Sequence, residues 1–175
     1  MKPKRTIIVG LGNPGEEYAT TYHNVGALAL RTIAGAAEFK THKALFLFAT
    51  TGEAVFILPL TFMNESGVAV REAMKKLDAK PNDLIVIHDE SDLSVGTYKI
   101  SVGKNSAGHR GVQSIMDALH AKDFTRVRIG IRPANERRRE KAGVFVLKNI
   151  TAKDRKVFEK IFNEIAAQLP GLARV

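Results

Sequence analysis

The sequence contains no cysteine and no tryptophan among its 175 residues. Without thiols there can be no disulfide, no thiolate zinc centre and no cysteine nucleophile. The missing tryptophan excludes nothing. No apolar run approaches the roughly twenty residues that a membrane-spanning helix needs. The opening MKPKRT leads directly into a strand pattern with no apolar leader region, so a cytoplasmic protein is expected. Three motif classes are also missing: H-E-x-x-H for a metal, G-x-S-x-G for a serine nucleophile, and the phosphate-binding G-x-x-x-x-G-K-[ST]. No metal and no organic cofactor is expected.

Acidic residues are in short supply. Eighteen Asp and Glu face 27 Lys and Arg, a formal net charge of +9. Such an excess points to an acidic partner, nucleic acid being the commonest. The excess is uneven: residues 1–88 hold 10 basic and 8 acidic side chains, whereas residues 89–175 hold 17 and 10. Arg126, Arg128, Arg132, Arg137, Arg138, Arg139 and Lys141 crowd one window. A charge run of this kind reads either as a solvated surface or as a phosphate-binding face.

The length suits one domain with a proper core, so residues 1–175 are read as a single unit. Thr6–Gly10 is a short, continuously apolar strand. A helical pattern follows through Ala37, and then a hairpin pairs Leu45–Ala49 with Ala54–Leu58 across Thr50–Glu53. Thr61–Gly67 leads into a helix around Val68–Leu77, which Asn64 or Ser66 could cap. Leu84–His88 is the clearest buried strand and delivers Asp89, Glu90 and Asp92 at its carboxyl end. Val95–Val102 and Arg126–Ile131 are further strands, and Pro133–Ala142 is a charged loop. His109–His120 is a helix, and Thr151 caps a final one. A hairpin set into a βα alternation argues for a mixed sheet. The expected fold is therefore α/β: a single-domain α/β/α sandwich around a twisted mixed β-sheet.

The chain is organised around Val9–Gly26, VGLGNPGEEYATTYHNVG. Gly10, Gly12 and Gly15 satisfy G-x-G-x-x-G after a strand, the dinucleotide fingerprint. That reading also requires a helix at the third glycine and an acid closing a second strand. Here Pro14 and the polar segment Glu16–Asn24 delay the helix, and Glu38 follows a helical pattern. A carboxamide, a phenol and an imidazole in this connection suit the floor of a site better. A neutral imidazole near carboxylates can take a proton from water near pH 7. His23 beside a carboxylate would do so, although an isolated histidine at a helix start is more often a hydrogen-bonded structural residue.

The same stretch, GLGNPGEEYATTYHNVG, closely resembles the N-terminal signature of bacterial-type peptidyl-tRNA hydrolases. LTFMNESG (60–67), HDESDLSVG (88–96), SAGHRGVQSI (106–115), FTRVRIGIRP (124–133) and VFVL (144–147) agree with it in order, so the resemblance covers essentially the whole chain. It implies cleavage of the ester between an N-blocked peptide and the tRNA 3′ ribose. It also implies His23 as catalytic base, supported by Asp89, with Asn13 among the catalytic residues and helping to tell a blocked from a free amine. Tyr18, Phe62 and Asn64 match positions that contact the tRNA 3′ end, and Lys99 and Arg128 match positions associated with its phosphates. The expected partner is peptidyl-tRNA, met by a monomer without a membrane or an obligate protein partner. Three residues depart from the pattern. Arg110 stands where Asn is usual, leaving it a contact to RNA backbone or ribose; Tyr22 stands where Arg is common; Ser101 replaces a basic residue. A non-catalytic RNA-binding protein of the same fold is the alternative reading.

Overall fold

Short runs such as TIIVG and LIVIH have no helical period and are too apolar for a surface, so they form central strands buried on both faces. The structure is a computed structural model and describes residues 5–133 and 141–169. The charged loop expected at Pro133–Ala142, with Arg137, Arg138 and Arg139, lies outside the described residues except at its ends.

Seven strands form one sheet: β1 (Thr6–Gly10), β2 (Lys40–His42), β3 (Phe46–Thr51), β4 (Ala54–Pro59), β5 (Leu84–Ser94), β6 (Tyr98–Val102) and β7 (Thr125–Arg132). Their order is β2-β3-β4-β1-β5-β7-β6. The centre is parallel, β1 pairing with β4 and β5, and β5 with β7. Both flanks are antiparallel. The mixed sheet expected from the hairpin is present.

The helices are α1 (Val25–Ala34), α2 (Ser66–Leu77), α3 (Arg110–Leu119), the single turn α4 (Ala142–Phe145) and α5 (Ala152–Gln168). Strand residues alternate between two cores, as a period of two requires. Ile8, Ile85 and Ile87 pack with Leu30 of α1 and Phe158, Ile161 and Ile165 of α5. Ile7, Val9 and Val86 pack with Val70 and Met74 of α2 and Val112 and Ile115 of α3. Helices thus cover both faces of the sheet.

Several boundaries differ from the sequence reading. Helix α1 stops at Ala34, because Gly35 adopts φ 57° and turns the chain away. Strand β2 is a polar tripeptide without alternation, fixed only by pairing to β3. The last strand before α3 begins at Tyr98 rather than Val95. Neither Asn64 nor Ser66 caps α2. A 3-10 turn over Met63–Glu65 runs into that helix, and the Ser66 hydroxyl donates to the Met63 carbonyl at 2.8 Å. The expected cap by Thr151 does form, its hydroxyl oxygen accepting from the Asp154 N–H at 3.1 Å.

The consequential difference lies in β5. It does not end at His88 but continues to Ser94, with Asp89 and Glu90 paired to Ile129 and Gly130 of β7. The register shifts between Glu90 and Ser94. Asp89 and Glu90 are therefore buried strand residues, 3% and 6% exposed, rather than acids on a free loop.

Candidate active site

Gly10 closes β1 where α1 crosses it. A Cβ at Gly10 would lie 2.6 Å from the Gly26 carbonyl oxygen, and one at Gly26 would overlap the Ile87 carbonyl oxygen. These glycines let α1 approach the backbone of β1 and β5. Two 3-10 turns (Glu16–Tyr18 and Tyr22–Asn24) follow Gly15, and α1 waits until Val25, so no α-helix N-terminus stands at the third glycine as a dinucleotide site requires.

The delayed segment is tied down residue by residue. The Asn13 N–H donates to Asn24 Oδ1 and the Asn24 amide donates back to the Asn13 carbonyl, each at 2.9 Å. The Met63 N–H donates to Asn13 Oδ1 at 2.8 Å. With its oxygen pinned, the Asn13 carboxamide has its N–H₂ left for whatever occupies the cleft it lines. The His23 N–H donates to the Val146 carbonyl at 2.8 Å, and the Tyr22 N–H to that of Lys148 at 3.0 Å. The segment after α4 is thereby stitched to the turn that carries His23.

His23 and Asp89 come together. His23 Nδ1 lies 2.9 Å and 3.0 Å from the two carboxylate oxygens of Asp89. His109 reaches the same carboxylate, its Nε2 lying 2.8 Å from Oδ1. As N-cap of α3, His109 accepts the Val112 N–H on Nδ1, so its proton sits on Nε2 and is donated to Asp89. Burial alone would push the Asp89 carboxyl up. The hydrogen bonds and attraction of His109, and then of His23, outweigh it and hold the group well below the usual carboxylate range. A permanently ionised Asp89 keeps the His23 proton on Nδ1, leaving the Nε2 lone pair free to accept a proton from water.

These groups floor a cleft of about 390 Å³. Tyr18 and Phe62 form one lip, edge to face with ring centroids 6.3 Å apart, and Phe62 is half exposed. Asn64, Arg110 and Leu147 complete the rim. Two expected residues stand elsewhere. Arg128 binds Glu90 Oε2 through Nε at 3.0 Å and Nη2 at 2.9 Å. Lys99 is exposed on β6, opposite Arg128 in the ladder. Neither lines the cleft. Arg126, part of the crowded basic window, is buried, with Nη1 donating to the Asn105 carbonyl at 3.0 Å.

The sequence reading missed His109 as a site residue, along with the clamp by Asn24 and the role of the Met63 N–H. His109 was visible as a polar residue opening a helix, but only the sheet brings it to Asp89. His23, Asp89 and His109 offer metal-type ligand atoms within 4.8 Å of one another. Their hydrogen bonds make both ring nitrogens donors to the carboxylate, which is the arrangement of a supported base.

A family model described as peptidyl-tRNA hydrolase matches residues 7–174. This chain belongs to the peptidyl-tRNA hydrolase family. A peptidyl-tRNA hydrolase of Mycobacterium marinum is 43% identical over 157 residues, covering 85% of this chain and 81% of the relative. One from Tropheryma whipplei is 40% identical over 146 residues, covering 83% and 75%. The crystal structure of the Acinetobacter baumannii peptidyl-tRNA hydrolase superposes with a TM-score of 0.84 at 27% identity, covering 94% of this chain and 86% of that one. The departures from the family pattern now have places. Tyr22 is buried, stacks on Phe145 with centroids 4.7 Å apart, and donates its hydroxyl to Asp154 Oδ2 at 2.6 Å. Ser101 faces Arg126 across the β6–β7 ladder. Arg110 is the exposed first residue of α3, at the cleft. Among the described residues no helix is long and apolar enough to cross a membrane.

Proposed function

We propose that this family member hydrolyses the ester of peptidyl-tRNA with His23 as general base, as one domain and a cytoplasmic monomer. The observation that carries this reading is the His23–Asp89 pair at 2.9 Å, which leaves His23 Nε2 free beside the Asn13 carboxamide. Nε2 takes a proton from water as the hydroxyl adds to the ester carbonyl carbon. The developing oxyanion accepts a hydrogen bond from Asn13 Nδ2, a donor already oriented by the Met63 N–H. Collapse expels the 3′ ribose oxygen, which takes the proton back from His23. The products are the free peptide acid and tRNA with an intact 3′ end. No metal or organic cofactor takes part.

The rim supports recognition of single-stranded RNA. Tyr18 and Phe62 present aromatic faces and edges on which unpaired 3′ bases can stack. Asn64 offers an amide to the peptide group, and Arg110 a cation to the terminal phosphates or ribose. Lys99 and Arg128, neighbours on β6 and β7 outside the cleft, would meet acceptor-stem phosphates. Single-turnover hydrolysis of N-acetyl-aminoacyl-tRNA beside unblocked aminoacyl-tRNA tests the reading. Wild type should cleave only the blocked ester, and His23→Ala should bind tRNA without cleaving either. Binding without cleavage by wild type would instead leave a non-catalytic RNA-binding protein.

A further inference from the structure

Asp89 is held by three imidazoles, and the hydrolytic mechanism uses only two of them. The third is His88, its neighbour on β5. His88 Nδ1 lies 2.7 Å from the main-chain carbonyl oxygen of Asp89, so the ring donates its N–H there and keeps Nε2 unprotonated. The ring also meets His109 edge-on, with centroids 4.6 Å apart and planes at 66°. It is 1% exposed, and burial, followed by the neighbouring His109 and Arg126, keeps it neutral.

A residue in this place for packing alone would be apolar. Val86 occupies the equivalent inward position two residues earlier. His88 instead buries Nε2 with no hydrogen-bond partner among the described residues, which costs stability. Something must offset that cost. The N–H bond to Asp89 has the right place, because it fastens the main chain of the carboxylate's own residue just before the β5–β7 register shifts beyond Glu90. We propose that His88 is a positioning residue: its N–H bond to the Asp89 carbonyl aims the carboxylate at His23 and His109 together. The inference rests on the reading of His23 as the base.

Two substitutions separate the roles of the ring. His88→Phe keeps an aromatic ring and loses the donor, whereas His88→Asn keeps a donor near the position of Nδ1 and loses the ring. Each is assayed by steady-state hydrolysis of N-acetyl-aminoacyl-tRNA across about pH 5 to 9, beside thermal unfolding. For His88→Phe we expect unchanged KM and a kcat lower by roughly ten- to a hundredfold. Its acid limb should move to lower pH, because a loosely held carboxylate stabilises the His23 imidazolium less. The groups around His23 (Asp89 from β5, His109 from α3, and the cleft-lining Glu90 and Arg110) are the same in both variants. For His88→Asn we expect kcat within about threefold of wild type and an unmoved profile. A His88→Phe enzyme with wild-type kcat and profile overturns the proposal. So do equal losses of kcat in both variants that track their losses of stability. Should His88→Phe not fold, His88→Leu tests the loss of the donor with the same expectations. Failure of the base assignment is read separately, as hydrolysis surviving in His23→Ala.

Discussion

Replacing Asp89 by Asn changes no volume and tests the site at its centre. The carboxylate accepts N–H groups from His23 and His109 at 2.8–3.0 Å. An amide can accept at one oxygen only and must turn its own N–H₂ toward one of the two rings, where it meets another donor or forces that ring to change tautomer. The imidazolium that forms as water is deprotonated also loses its counter-charge. For unit charges about 4 Å apart at an effective dielectric of about 20, that attraction is about 4 kcal/mol. At 1.36 kcal/mol per tenfold, kcat should fall roughly a thousandfold. On the proposed reading the rim holds the substrate, so KM should stay close to wild type. The assay is single-turnover hydrolysis of N-acetyl-aminoacyl-tRNA, with circular dichroism to confirm folding. A folded Asp89→Asn enzyme within about tenfold of wild type in kcat would refute the claim that this carboxylate supports the base.

Asn13→Asp keeps the oxygen that accepts the Met63 N–H but puts a negative charge where the oxyanion forms, so kcat should drop at least about a hundredfold with the fold intact by urea denaturation. Arg110→Asn should raise KM, leave kcat unaltered and reduce the slope of log affinity against log salt by about one in tRNA titrations. Tyr22→Phe removes the hydroxyl donated to Asp154 and should cost about 1–2 kcal/mol in urea denaturation. Unfolding followed against pH should show the buried His88: its folded pKa is depressed, so the unfolded chain binds the extra proton first. Its contribution is complete above about pH 6.5 and is lost as the pH falls toward the folded value, at up to about 1.4 kcal/mol per pH unit. His88→Asn should flatten that slope.

The central strands, the hairpin and the amphipathic helices were legible because hydrophobic period and turn chemistry are local. What lay outside the sequence was non-local. The end of β5 could not be read, because Asp89 and Glu90 look like loop acids until β7 supplies backbone partners and Arg128 a counter-ion. Strand β2 carries no pattern of its own. The conjunction of His23 with Asp89 came from the family resemblance, since no spacing rule joins residues 66 positions apart. His109 escaped for a related reason: a histidine that opens a helix reads as a cap, and it is one, while its other nitrogen serves the site. On β7 the basic run divides: Arg126 is buried on the Asn105 carbonyl, while the partly exposed Arg128 pairs with Glu90.

Burial divides the cleft in two, and the division follows from what each half must do. Asp89, His88 and Asn24 are nearly inaccessible, the first bonded to His23 and His109 and the other two to backbone, so on the proposed reading the reacting atoms sit in a fixed, low-dielectric frame where electrostatics count most. Phe62, Asn64, Arg110 and Leu147 are exposed, as groups must be that meet a large polyanion arriving from water. Of the three departures from the family pattern, Arg110 is on the rim, while Tyr22 and Ser101 lie outside the cleft lining. None replaces a bond of the His23–Asp89–His109 frame. On the proposed reading, change on the rim should alter how tightly and how salt-dependently tRNA is held, and change in the frame should alter the chemical step. A substitution at Arg110 that lowered kcat while sparing KM would break that division, because it would place a rim cation in the reaction itself.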